Sequence, residues 1–371
     1  MKEKITSFQV SALIMFTIAP TGILLLPGAI TSFAKQNAWQ SAAIGTLIGI
    51  GIAVLVGHIG NQNPGMPLMN WLEKRLGRWA CVLIGLFLAR YYITVSVITL
   101  SEFSYFISDE VLHRTPQWLT MSIIMLVVLY AVGQGIETIV RVNMITFLFS
   151  VLLIAAGSLL IMKNMHVKPL LPLWEGSFTP VLKGSLLPAS WMSEVAVLLL
   201  LAPYIRQKKS AIRAGIAGVA LAGASITVTV AVSIATFGPR LVPLITYPGF
   251  LIVSVIEIGS LLERLEIVFI SIWLLTMYLK LSVLMFGASQ CLVQSFHIRN
   301  ERPFLFALGL FVLLNALYSW GNAADFYAYT VKTGFLDLLF SNALVPAIIA
   351  AGLWVTAKGM RRRRSYDPND S

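Results

Sequence analysis

The chain has 371 residues, 57% of them hydrophobic and 12% charged, with a mean hydropathy of +0.82. Soluble proteins carry roughly 25% charged residues, so this composition excludes a disordered chain, a disulfide scaffold and an ordinary soluble enzyme. Lys plus Arg exceed Asp plus Glu by 27 to 16; the cations sit in short loops between apolar runs, which points to membrane orientation and not to nucleic acid.

A spanning helix needs about 20 apolar residues. Apolar segments fall at 8–33, 39–59, 79–107, 118–134, 142–162, 181–203, 211–237, 265–290, 304–320 and 335–357. The expectation is an all-α integral membrane protein with ten transmembrane helices in a single polytopic domain, 1–371. The first segment follows Lys2 and Lys4 but is too long for a signal-peptide core, so it is read as a retained helix. It contains Pro20-Thr21-Gly22 near its centre, with Ile23 next and Pro27 beyond. The third segment carries Arg90, Tyr92, Ser96 and Glu102. The sixth contains Pro188-Ala189-Ser190, then Trp191 and Glu194. Between 247 and 290 the chain stays apolar for about 66 Å of helix, twice the hydrocarbon thickness. This stretch is therefore split into a short external helix over 249–262 and an eighth span carrying Lys280 and Ser282. A basic tail, 358–371, closes the chain.

With the N-terminus inside, 17 loop and tail cations lie on the cytoplasmic side and 8 outside; Arg90 and Lys280 are intrahelical. Both termini are thus expected in the cytoplasm. Cys81 and Cys291 are too few for a disulfide framework, and the four histidines lack metal-ligand spacing.

Proline removes a helical donor and crowds the preceding turn, and backbone groups freed in lipid need another partner. The first and sixth spans are therefore expected to be broken helices. They open two five-helix sets, about 8–162 and 181–357, whose odd length makes them inverted. Interrupted segments in corresponding positions point to a transporter's binding site. Arg90, Glu194 and Lys280 lie deep in their spans, where a charge needs a partner or a cavity. Glu194 can pair with either Arg90 or Lys280. A packing role, proton exchange at Glu194 and a cation-like role for Lys280 stay open. Glu102 is placed near the outer end of its span, reaching water. Tyr91, Tyr92, Trp191 and Tyr278 can wall a ligand pocket or stack on neighbouring helices. No phosphate-binding glycine loop, nucleophile elbow or His-Glu metal motif is present, so neither an enzyme nor a cofactor is expected.

Several stretches together resemble the permease-like B subunit of spore germinant receptors, in the amino acid–polyamine–organocation superfamily. They are ITSFQ, PTGILLLPGAI, GIETIVRVNMI, KPLLPLWEG, ITYPGF and LLERLEIVFISIW with Trp273, followed by the basic tail. The resemblance implies two inverted five-helix repeats around a central site and a small germinant, most often an amino acid. It also implies an A-type membrane subunit and a C-type lipoprotein as partners in the inner spore membrane. Pro20, Thr21, Gly22 and Ile23 would meet the ligand, faced by Ala189, Ser190 and Trp191. Tyr92, Ser96, Lys280 and Ser282 would complete the pocket and the neighbouring ion site; the deep charges Arg90 and Glu194 join Lys280 and Ser282 as the candidate charge or ion-coupling residues. The expected function is germinant sensing with signalling to partner subunits. The alternative is a proton- or sodium-coupled amino acid transporter.

Overall fold

In the computed structural model the described residues are 4–166, 168–171, 177–207, 209–256 and 265–364. The helices are α1 (Ser7–Ala34), α2 (Ala38–Gln62), α3 (Leu68–Leu76), α4 (Arg78–Glu110), α5 (Gln117–Gly133), α6 (Ile136–Leu160), α7 (Thr179–Met192), α8 (Leu198–Leu201), α9 (Ala211–Phe237), α10 (Pro248–Ser254), α11 (Leu265–Phe296), α12 (Glu301–Tyr318), α13 (Ala323–Tyr329) and α14 (Phe335–Arg364). Eight helical segments among the described residues are long and apolar enough to cross a membrane; the first, 7–62, comprises α1, α2 and the turn joining them. The shorter apolar helix α5 adds to them. The extended pairing described is one bridge between Ile5 and Ile205. There the Ile5 N–H donates to the Tyr204 carbonyl at 2.9 Å and the Arg206 N–H donates to the Ile5 carbonyl at 2.8 Å. This bridge ties the entry of α1 to the segment after α8.

Packing follows two groups. Helices α1 and α2 pack on α7 and α9, whereas α4 and α5 pack on α11 and α12. Small residues permit the close approaches. A side chain at Gly45 of α2 would meet Pro188 and the Ala189 backbone of α7, and one at Gly57 would meet the backbone of Ile212 in α9. Without a water-driven force between helices, such small-residue contacts are what hold membrane helices together.

The expected break in the first span is corrected: α1 is continuous from Ser7 to Ala34 with both prolines inside it. Each proline deletes one helical hydrogen bond, the one to the Phe16 carbonyl at Pro20 and the one to the Ile23 carbonyl at Pro27. The Trp273 indole N–H donates to the Pro20 carbonyl at 3.1 Å. The Ile23 carbonyl, whose helical donor Pro27 removes, is met by Gly249 of α10, where a Cβ would lie 2.4 Å from that oxygen. Gly249→Ala is therefore expected to destabilise the protein by about 1–3 kcal/mol, the cost of overpacking. Gly51→Ala, which meets open space, is the control; thermal unfolding of both variants in detergent decides it.

In the sixth span, Pro188-Ala189-Ser190 lie within regular α7, and the departure comes later, as a 3₁₀ turn over Ser193–Val197. The Ser190 hydroxyl donates to the Leu187 carbonyl at 2.6 Å and the Ser193 hydroxyl to the Ser190 carbonyl at 2.5 Å. These bonds to the third preceding residue compete for the helical acceptors and tighten the chain at Glu194. The last span also begins earlier than its apolar run. Asn322 caps α13 by accepting the Asp325 N–H, and a π turn, Thr330–Gly334, joins α13 to α14. Lys332, one of the 8 cations counted outside, lies in that turn. The expected external helix is present only as α10; residues 257–264, with Glu263 and Arg264, lie outside the described residues, as do 172–176 of the KPLLPLWEG loop.

Candidate functional site

Three segments meet at their midpoints. Thr21 is the fifteenth of the 28 residues of α1, Lys280 the sixteenth of the 32 of α11, and Glu194 the sixteenth of the 26 of the segment 179–204. The Lys280 ammonium donates to both Glu194 carboxylate oxygens, at 3.0 and 2.9 Å, and to the Thr21 hydroxyl oxygen at 2.9 Å. The Trp191 indole N–H donates to the same Thr21 oxygen at 2.9 Å. Lys280 and Glu194 are 1% and 2% exposed, so the pair is fully desolvated and depends on these hydrogen bonds. The 3₁₀ turn presents Glu194 here, and Pro188 with Ser190 sets the path of the backbone into it.

A cavity of about 20 Å³ adjoins the cluster, lined by Thr21, Trp191, Glu194, Lys280, Thr99 and Glu102, with Thr330 and Gly334 of the π turn as a further wall. That is room for about one water molecule, so this conformer has no room there for an amino acid. Trp273, which binds the Pro20 carbonyl next to Thr21, anchors an aromatic cluster. Its ring lies 4.3 Å from that of Phe106, which contacts Phe250 and Tyr247 in turn.

The other expected site residues are dispersed. Arg90 pairs with Asp337 of α14 at 2.7 Å, not with Glu194, and both are partly exposed, 46% and 32%. Gly22 faces Ile226 of α9. Pro20 and Ile23 line a separate apolar groove of about 400 Å³ with Phe16, Ile252 and Thr276. Ala189 faces Gly45. The hydroxyls of Ser96 and Ser282 donate to carbonyls four residues earlier on their own helices, those of Tyr92 and Tyr278, and Tyr92 packs on Gly287. The expectation that Glu102 reaches water is corrected: it is 1% exposed. Helix α12 and the turn before α14 cover that end of α4. Thr99 and Glu102 were missed as site residues, although with Val95 and Ile98 they share one helical face at spacings of three and four.

The model of the family described as "Spore germination protein" matches residues 4–323. Spore germination protein YndE of Bacillus subtilis (strain 168) is 21% identical over 355 residues, covering 95% of this chain and 97% of that protein. Spore germination protein KB of the same organism is 23% identical over 317 residues, 84% of each chain. Among solved structures, a substrate-bound Na+-coupled sialic acid symporter in an outward-open state superposes with a TM-score of 0.70 at 13% identity, covering 95% of this chain and 80% of that one. MhsT in complex with L-phenylalanine gives 0.62 at 12% identity, covering 96% and 100%. The fold is therefore that of transporters of this kind. With the family match running over nearly the whole length, this integral membrane chain belongs to the spore germination protein family.

Proposed function

We propose that the chain is the germinant-sensing subunit of a spore germination receptor, binding a small amino-acid-like germinant at the central cluster. The observation that carries this reading is the buried Thr21–Lys280–Glu194 cluster, set beside a cavity where three helices meet and helical regularity fails twice, at the 3₁₀ turn and the π turn. Irregular turns inside long helices are frequent at functional sites. On this reading the ten spans form two inverted five-helix repeats, about 8–162 and 181–357, in one domain. The packing of α1 and α2 on α7 and α9, and of α4 and α5 on α11 and α12, supports it, because each group joins corresponding helices of the two halves. The chain sits in the inner spore membrane with both termini in the cytoplasm and signals to an A-type membrane subunit and a C-type lipoprotein. A ligand signals only by favouring one conformer, and so small a cavity requires that the bound and empty conformers differ.

Spores lacking this chain are expected to lose their response to at least one L-amino acid, while the purified chain in liposomes takes up none of the labelled amino acids. Uptake driven by a proton or sodium gradient would replace this reading with the coupled-transporter alternative.

A further inference from the structure

Glu102 has no role in the cluster, yet it is fully buried beside it. Among the described residues its Oε1 has no hydrogen-bond partner, and neither has the Thr99 hydroxyl one turn earlier. Both residues line the central cavity. Buried polar groups are almost always paired, and a buried carboxylate needs a cation or several donors. The nearby cation gives it no hydrogen bond: an ammonium has three donors, and Lys280 spends all three on the Glu194 oxygens and Thr21. Among the described residues the site thus leaves a Glu102 carboxyl oxygen and the Thr99 hydroxyl, one turn apart on one helical face, without a partner and open to a donor on a bound ligand.

We propose that Glu102 and Thr99 form the subsite that receives the ammonium group of an amine-bearing ligand. An ammonium carries donors only, matching two unpaired oxygens, and its positive charge balances Glu102 as Lys280 balances Glu194. A metal cation fits less well, because two protein oxygens are few for a hard ion. The cavity has to widen to admit the group. Its wall at Thr330 and Gly334 belongs to the π turn, where the helical ladder is already irregular. This inference rests on the germinant-binding reading and narrows it: the ligand is recognised through a free amine.

The test uses the full chain in nanodiscs and reads thermal shift against each of the twenty L-amino acids, their N-acetyl derivatives, methylammonium chloride and sodium chloride. The wild type is expected to bind at least one free amino acid, and to bind its N-acetyl form at least about tenfold more weakly, as loss of a charged hydrogen bond requires. Glu102→Gln is expected to weaken the free amino acid by a similar factor, and Thr99→Val by less, with unliganded melting temperatures near that of the wild type. The N-acetyl comparison needs no variant, so misfolding cannot obscure it. Equal binding of the free and acetylated forms, unchanged affinity in Glu102→Gln, or stabilisation by sodium alone that Glu102→Gln abolishes would each overturn the amine subsite while leaving the binding reading intact. Failure of every amino acid to bind the wild type would instead overturn the reading beneath it.

Discussion

Lys280→Met is expected to destabilise the protein by about 3–5 kcal/mol, the cost of leaving a buried partner charge uncompensated. The geometry makes this the severest single change. Glu194 accepts from Lys280 through both oxygens, and at 2% exposure it cannot turn to water. Loss of the ammonium also strips Thr21 of one of its two donors. The double change Lys280→Met with Glu194→Gln removes both charges and is expected to recover most of the loss, because a buried pair replaced as a unit is often nearly neutral. Unfolding followed by heat in detergent distinguishes the two. A single variant as stable as the wild type would mean the pair is not formed as described.

Thr21→Val is expected to cost about 2–4 kcal/mol, with Thr21→Ser close to the wild type. Valine keeps the shape and removes the oxygen, so the Trp191 indole N–H and one Lys280 N–H lose their acceptor together. A stranded buried donor costs about 1–3 kcal/mol, and more when the donor is charged. Because Thr21 sits on α1, Trp191 on α7 and Lys280 on α11, this one hydroxyl joins three helices. Its loss is also expected to lower the germination response by more than the stability change accounts for. The comparison is dose-response in spores against melting temperature, and a response that tracks stability alone would make Thr21 a packing residue only.

The sequence carried the membrane class, the all-helical build and two of the residues that pair. Apolar length marks a span with little ambiguity, and an ionisable residue at mid-span announces a partner or a cavity, which is why Glu194 and Lys280 stood out. Proline was the misleading signal. Pro20 and Pro27 predict a break in α1, but the helix runs through both; Gly249, more than 220 residues away, packs on the Ile23 carbonyl that Pro27 frees, and no local pattern reveals it. The irregularity in the sixth span comes from the serine hydroxyls at 190 and 193, after Pro188. The π turn at 330–334 has no signature in the apolar profile, since Lys332 reads as a loop end. Glu102 was misplaced because distance from a helix end was taken as depth in the membrane, whereas burial there is set by the neighbouring helices. Arg90 was legible as a charge needing a partner, but Asp337 lay at the edge of an apolar run and was not connected with it.

The most direct measurement is amino acid binding, by titration calorimetry, to the wild-type chain in nanodiscs and to the Lys280→Met, Glu194→Gln double variant, once the variant's melting temperature shows it folded. If the central cluster is the germinant site, the wild type binds at least one L-amino acid and the folded double variant binds none at the same concentrations. Undiminished binding by the double variant would place the ligand elsewhere and contradict the account.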